Sequence, residues 1–203
     1  MNKYEARYDR NLGIRSIGIR EWKDETDYNR CEPTPYHALD HLFEYYSLNE
    51  KDKFVDFGCG RGRVAFYTHN KFNIDVTGVE ASDPTFDELL INQKGYQYKN
   101  KNTDANLYFE YGYAENYDIK DEDNVFYFFN PFSLTILKKV VRNIKLSYKR
   151  VPRTIDIVLY YPIPAYVRYL SHTKFKMINK IDVPNKTDKY QKFRIYRLEK
   201  TDE

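Results

Sequence analysis

The sequence predicts a three-layer α/β architecture in which helices cover both faces of a mostly parallel sheet. From residue 52 onward, short apolar runs alternate with segments of helical periodicity, as in consecutive βα units. The run at 155–160 is apolar almost throughout, which is typical of a strand buried on both faces of a parallel sheet. Near the C-terminus, two alternating segments have too short a connection for a parallel crossover, which indicates an antiparallel hairpin.

The composition is that of an ordered globular chain. Its 203 residues are 41% hydrophobic and 31% charged, which favours a folded core over disorder. No apolar run approaches the ~18 residues of a membrane-spanning helix, and the N-terminus lacks the features of a secretory signal. Two cysteines, Cys31 and Cys59, exclude a disulfide framework and a cysteine-rich zinc site. We therefore expect a cytoplasmic protein without a metal site or a membrane partner.

The N-terminal segment 1–50 is expected to form an arm and a lid helix. Residues 1–33 are polar and mixed in charge, so we place them outside the sheet. A helix is expected to start at Thr34-Pro35, because Thr can cap free N–H groups and Pro fits the first helical position. An apolar stripe at helical spacing follows, formed by Ala38, Leu39, Leu42, Phe43 and Tyr46.

Residues 51–203 are expected to form the α/β core of a single domain that spans 1–203. The predicted parallel strands are 54–57, 74–79, 107–111, 125–129 and 155–160. The predicted helices between them are 63–68, 86–93 and 134–148. The hairpin strands are 175–183 and 193–198, joined by a turn-rich linker at 184–188.

A glycine-rich loop links the first core strand to its helix. Glycines 58, 60 and 62 alternate with larger residues, so the backbone can turn sharply and approach a ligand at a helix N-terminus. A dinucleotide fingerprint would need glycine at 63, where the chain has Arg63, and no G-K-[ST] phosphate loop is present. What remains is the pattern D-x-G-x-G-x-G, which begins at Asp56.

This pattern resembles motif I of the class I S-adenosylmethionine-dependent methyltransferases, and the resemblance covers roughly residues 36–200. It implies a Rossmann-like fold with a mostly parallel seven-stranded sheet, and S-adenosyl-L-methionine as cofactor. Asp56 would help to hold the cofactor's ammonium group, and Glu80, at the end of the second strand, both ribose hydroxyls. The implied loop and neighbouring residues are Gly58, Cys59, Gly60, Gly62 and Ala81.

After the third strand the chain departs from the family pattern. The family commonly has Gly-Asp-Ala there, and this chain has Gly112-Tyr113-Ala114, so Tyr113 stands at the position of the acid. The resemblance implies that the backbone at Ala114 and the carboxylate of Glu115 hold adenine, or that Glu115 is only a solvated loop acid. Tyr36 is expected either to bond the methionine carboxylate or to pack on the sheet.

The fourth strand ends in Asn130-Pro131-Phe132, where ligands of open α/β sheets bind. The tripeptide is similar to the [NDS]-P-P-[YF] motif of amino methyltransferases, and closer to Asn-Pro-Phe in small bacterial class I methyltransferases. We place all three residues at the catalytic site, with Asn130 orienting an amine and Phe132 forming a wall. The alternative is that Asn130-Pro131 only ends the strand.

The sequence thus predicts a methyltransferase with an unidentified acceptor: a small molecule, a protein side chain or RNA. Nucleic acid is possible but not indicated, because the net charge is only +3. One alternative is a catalytically silent cofactor-binding module that acts through partner contacts. Another is a nicotinamide-dependent oxidoreductase, against which Arg63 argues.

Overall fold

The computed structural model describes residues 3–21, 27–101, 103–184 and 188–200, so part of the predicted 184–188 linker lies outside the described residues. The strands are β1 (Phe54–Phe57), β2 (Val76–Glu80), β3 (Leu107–Tyr111), β4 (Val125–Phe129), β5 (Ile155–Tyr160), β6 (Lys176–Asp182) and β7 (Lys192–Leu198). The helices are α1 (Lys3–Leu12), α2 (Tyr36–Tyr45), α3 (Arg63–Phe72), α4 (Asp83–Lys99), α5 (Leu134–Arg150) and α6 (Pro164–Ser171), with a 3₁₀ turn at Ala114–Asn116.

The seven strands form one sheet in the order β3-β2-β1-β4-β5-β7-β6. Strands β1 to β5 pair in parallel, and β7 pairs antiparallel with both β5 and β6. The predicted fold class and the C-terminal hairpin are confirmed. Strand order reverses between β1 and β4, and such a switch point leaves a crevice beyond the carboxyl ends of the strands.

Side chains of the central strands alternate between two hydrophobic cores, one on each face of the sheet. In β4, Val125 and Tyr127 pack into one core, while Phe126 and Phe128 pack into the other. The first core includes residues of α2, α3 and α4, and the second includes residues of α5 and α6. A strand apolar on both faces can therefore be read from sequence as a buried parallel strand.

The strands predicted at 54–57, 107–111, 125–129 and 155–160 are confirmed to the residue. The other predicted elements differ at their ends. For example, α4 extends well beyond 86–93, and the prediction was too short because polar residues surround the apolar positions of this helix. Helices α1 and α6 are absent from the sequence-based prediction. Charged residues dominate α1, and α6 is too short to show a clear apolar stripe. No helix within the described ranges is long and apolar enough to cross a bilayer.

The start of α2 corrects the predicted cap. Pro35, not Thr34, occupies the N-cap position, and the Thr34 hydroxyl lies 2.8 Å from that of Tyr127. The backbone N–H of Tyr36 instead donates to the Glu5 carboxylate at 3.1 Å. An acid from α1 therefore stabilises the N-terminus of α2.

Arg63 fastens the N-terminal arm to the core. Its buried guanidinium pairs with Glu5 and donates to the hydroxyl of Ser16 at 2.7 Å and the backbone oxygen of Thr34 at 3.1 Å. It also lies 4.3 Å from the ring centroid of Tyr36, within cation–π range. The residue that argues against a dinucleotide loop thus has a structural function of its own.

We expect Arg63→Met to lower the free energy of unfolding by about 3–5 kcal/mol, because buried Asp9 and mostly covered Glu5 would lose their cation. Urea denaturation followed by circular dichroism measures this change. Arg150→Met is the matched control, since Arg150 pairs with Asp121 at a half-exposed site, and it should cost less than about 1 kcal/mol. Equal losses in the two variants would contradict the anchoring function of Arg63.

Candidate functional site

The glycine loop lies at the switch point and packs closely against neighbouring chain. Gly58 and Gly60 have φ values of 72° and 57°, which larger residues rarely adopt. A Cβ on Gly58 would lie 2.5 Å from the Pro131 side chain, and one on Gly60 would lie 2.6 Å from Cys31 Sγ. Both glycines therefore leave room for groups that cross the crevice.

Asp56 is buried beneath this loop at the end of β1. The backbone N–H of Ala65, in the first turn of α3, hydrogen-bonds to its carboxyl group. Its Oδ2 atom is buried and has no hydrogen-bond partner among the residues that the structure describes. Burial and the nearby charge of Glu80 raise the pKa of Asp56 to about 8. Without a ligand the side chain is thus mainly protonated at neutral pH, and a cation beside Oδ2 would favour the ionised form, in which Oδ2 can accept a hydrogen bond.

Glu80 joins the end of β2 to the glycine loop. Its Oε2 accepts the backbone N–H of Gly60 at 2.8 Å, and its Oε1 accepts that of Ser82 at 2.8 Å. Burial raises the pKa of Glu80, and the backbone N–H groups counteract that shift by stabilising the carboxylate. Glu80 therefore shapes the loop, a function that the sequence did not indicate.

Tyr28, on the N-terminal arm, fills the space beside Ala114 and Glu115. Its hydroxyl donates to Glu115 Oε2 at 2.6 Å and accepts from the backbone N–H of Ala114. The ring centroid lies 5.4 Å from that of Tyr113 and 5.9 Å from that of Phe132. The residues predicted after the third strand are thus brought to one place, and an arm residue that the sequence did not indicate lies against them.

The end of β4 faces the same arm. Asn130 adopts a left-handed conformation with φ 42°, which Asn tolerates better than most residues. Its Oδ1 is buried without a hydrogen-bond partner within 3–21, 27–101, 103–184 and 188–200. Asn29 bonds the backbone oxygens of Asn130 and Pro131, at 2.8 and 2.9 Å. Phe132 is buried and pairs with Tyr28 in an antiparallel bridge.

Most of the predicted site residues border two narrow spaces in the crevice, of about 40 and 30 Å³. The predicted residues that line them are Asp56, Gly58, Cys59, Gly60, Glu80, Ala81, Ala114, Pro131 and Phe132. Arm residues 28–32 line the first space, and arm residues 31–34 line the second. A larger cavity of about 610 Å³, here called the outer cavity, opens beside Asn130 and is lined by Phe129, Tyr160, Tyr161 and Asp188 among others.

Three predicted residues lie apart from these spaces. Gly62 precedes α3, and the Glu115 carboxylate reaches the site only through Tyr28. Tyr36 is fully buried, and its hydroxyl donates to Asp9 at 2.7 Å, so the structure does not bring it to the crevice. The sequence-based prediction did not include Tyr28 and Cys31 in the site. No local spacing distinguishes Tyr28 among the 21 tyrosines of the chain.

Comparison with known proteins identifies the fold. No family model matches the chain, and no curated protein matches it. An RNA methyltransferase from Salinibacter ruber, solved with S-adenosyl-L-homocysteine, is 17% identical, with a TM-score of 0.59 over 85% of this chain and 95% of that one. A SAM-dependent methyltransferase from Methanosarcina mazei is 12% identical, with a TM-score of 0.58 over 76% and 95%.

A geranyl diphosphate C-methyltransferase from Streptomyces coelicolor is 13% identical, with a TM-score of 0.52 over 82% of this chain and 76% of that one. Its structure contains S-adenosyl-L-homocysteine, Mg²⁺ and geranyl diphosphate. The chain therefore has the Rossmann-like fold found in these methyltransferases. Their acceptors differ from one another, so the fold does not identify an acceptor for this chain.

The raised pKa of Asp56 predicts a pH dependence of stability. In the unfolded chain an Asp ionises near pH 3.9, whereas in the folded chain Asp56 ionises only near pH 8. The stabilising contribution of protonated Asp56 to the free energy of unfolding is therefore fully present below pH 4. It is lost as the pH rises to 8, by up to about 1.4 kcal/mol per pH unit. Asp56→Asn should remove this slope. Urea denaturation from pH 5 to pH 8 measures both proteins, and parallel profiles would contradict the shifted pKa.

Proposed function

We propose that this chain is a methyltransferase that uses S-adenosyl-L-methionine and receives its acceptor from the outer cavity. One observation carries the proposal: two buried carboxyl groups, those of Asp56 and Glu80, border a glycine loop where the strand order reverses. Burying acids is costly unless a partner compensates for the lost solvation. A ligand that carries both an ammonium group and ribose hydroxyls would provide such partners.

The donors and acceptors of the crevice fit that cofactor. The unpartnered Oδ2 of Asp56 can accept a hydrogen bond from the ammonium group. The Glu80 carboxylate accepts the backbone N–H groups of Gly60 and Ser82, and that of Ala81 is also directed to it, so about one of its roughly four lone-pair sites remains for a ribose hydroxyl. The Ala114 N–H and the Glu115 carboxylate form a neighbouring donor and acceptor, matching the N1 and amino group of adenine.

In this structure Tyr28 makes the hydrogen bonds that adenine would make. Its hydroxyl donates to Glu115, as the adenine amino group would, and accepts from Ala114, as N1 would. The spaces left beneath residues 28–32 are far smaller than a nucleoside. Cofactor binding therefore requires Tyr28 to leave its position, and the arm competes with the cofactor.

For methyl transfer, the protein has to align the acceptor with the methyl group and exclude water from the site. When bound, the cofactor supplies a methyl group on a sulfonium sulfur, which is already a good electrophile. Asn130 would accept a hydrogen bond from the acceptor at its unpartnered Oδ1, which fixes the direction of approach. Buried Phe132, held between the core and Tyr28, would form the wall that excludes water.

The closed arm also favours the second candidate, a silent module. If the cofactor displaces residues 28–32, the change in the arm could by itself signal to a partner protein. Transfer of label separates the two candidates. The chain, incubated with methyl-tritiated S-adenosyl-L-methionine and a cell extract, should label an acceptor if it is an enzyme, and persistent absence of label would support the module.

Glu80→Gln should weaken cofactor binding by about 1.5–3 kcal/mol, because the charged hydrogen bond to ribose is lost. That loss corresponds to roughly a ten- to hundredfold rise in Kd, measured by isothermal titration calorimetry. Glu110→Gln, on the exposed side of β3, is the matched control and should bind as the wild type does. Unchanged affinity would remove Glu80 from the site. Failure of the wild-type chain to bind would overturn the proposed function.

Tyr28→Ala should tighten cofactor binding about tenfold or more, because the cofactor would no longer have to displace a phenol hydrogen-bonded to a carboxylate. The same calorimetric titration measures the effect. Tyr98→Ala, at a side chain that is 79% exposed, should leave affinity unchanged. Weaker binding by the Tyr28 variant would mean that this ring supports the cofactor, which contradicts competition.

A further inference from the structure

The outer cavity has the size of a small-molecule site and meets the crevice at the end of β4. Its volume of about 610 Å³ lies within the range of ligand pockets. Phe129 lines both the outer cavity and the narrow spaces of the crevice. Asn130 lines the outer cavity, and the next residue, Pro131, lines the crevice. An acceptor in the outer cavity would therefore lie next to the proposed cofactor.

The charged lining of the outer cavity is predominantly acidic. Glu21, Glu32 and Asp188 face one cation among the described lining residues, Arg30. Arg30 lies 2.8 Å from Glu32 and 3.9 Å from Glu21, so it is matched to carboxylates already present. Hydrogen bonds from the Tyr161 hydroxyl and the Tyr190 N–H lower the pKa of Asp188, which keeps that carboxylate ionised at neutral pH. Lys189 and Lys192 offset the charge of Asp188, whereas Glu21 and Glu32 share one arginine, and the uncompensated carboxylate of that pair favours cations.

Three aromatic rings form part of the wall. The Phe129 ring centroid lies 4.7 Å from that of Tyr160 and 6.2 Å from that of Tyr161, with interplanar angles of 66° and 52°. The rings of Tyr160 and Tyr161 are also strongly tilted, at 65°. Rings so inclined present faces in several directions, and aromatic faces beside carboxylates bind ammonium groups.

The end of β4 holds an unsatisfied hydrogen-bond acceptor in a residue that lines this wall. Asn130 Oδ1 is a buried atom without a partner among the described residues, and such an atom is costly unless a ligand supplies a donor. An N–H of an amine supplies one, whereas a phosphate or carboxylate oxygen does not. The charge of the lining, its aromatic rings and the Asn130 amide oxygen therefore all indicate an ammonium or amine group as the ligand.

We propose that the outer cavity binds the alkylammonium group of the methyl acceptor, an inference that rests on the proposed function. The ammonium must release one proton to solvent before its nitrogen lone pair can form the new N–C bond, as the bond between the methyl carbon and sulfur breaks and S-adenosyl-L-homocysteine leaves. A free polyamine and a lysine side chain offer the same group. RNA does not, because its phosphates would meet the carboxylates of the cavity.

The test blocks the amino groups of possible acceptors by acetylation. A cell extract is treated with acetic anhydride, quenched, and incubated with the full chain and methyl-tritiated S-adenosyl-L-methionine. Transfer should fall more than tenfold relative to an untreated extract, whereas nuclease treatment should leave it unchanged. Filtration of the untreated extract separates the two sources of the group, since label in the low-mass fraction indicates a free amine and protease-sensitive label indicates lysine.

A pair of variants tests the cavity itself. Asp188→Asn combined with Glu21→Gln, both at residues that line the outer cavity and neither of the two narrow spaces, should raise the half-saturating concentration of extract about tenfold, with cofactor affinity by calorimetry unchanged. Asp121→Asn, in the turn that precedes the amino end of β4, should change neither quantity. Nuclease-sensitive label, or transfer that survives acetylation, would overturn this inference and leave the methyltransferase intact. Absence of any transfer by a chain that binds the cofactor would overturn both.

Discussion

The site depends on one buried hydrogen bond, from the backbone N–H of Gly60 to the carboxylate of Glu80. Together with the hydrogen bonds from the N–H groups of Gly58 and Cys59 to the backbone oxygen of Val79, this bond ties the glycine loop to the end of β2. Because the carboxylate is almost fully removed from water, it is stabilised chiefly by backbone N–H groups, which hold its two oxygens in place. The same side chain can therefore shape the loop and retain a lone pair for a ligand.

The N-terminal arm is the second determinant of the site. It is anchored by Arg63 near one end and by the contacts of Tyr28 with Glu115 near the other. The anchor at Arg63 is a buried ion pair, whereas the part of the arm near Tyr28 is held by hydrogen bonds, the bridge to Phe132 and ring contacts. Under the proposed function, the hydroxyl contacts of Tyr28 are those that a nucleobase edge would replace.

The crevice and the outer cavity differ in character although they adjoin. The crevice is narrow and built from backbone and two buried acids, which suits a ligand with many fixed polar atoms. The outer cavity is wider, with aromatic walls and carboxylates at its border, which suits a cation on a flexible chain. Asn130 lines the outer cavity in a left-handed conformation, its Oδ1 is unsatisfied among the described residues, and the next residue, Pro131, lines the crevice.

The sequence by itself determined the βα order, four strands to the residue, the glycine loop and the acid at the end of β2, because these depend on local periodicity and short spacings. It did not reveal α1 or α6, whose stability comes from packing and ion pairs with distant residues. Nor could it assign Thr34, Tyr36 or Tyr28, since their partners lie between 27 and 93 residues away. Only the tertiary structure decided which hydroxyl meets which acid, because hydrogen bonds between distant segments leave no periodic trace in the chain.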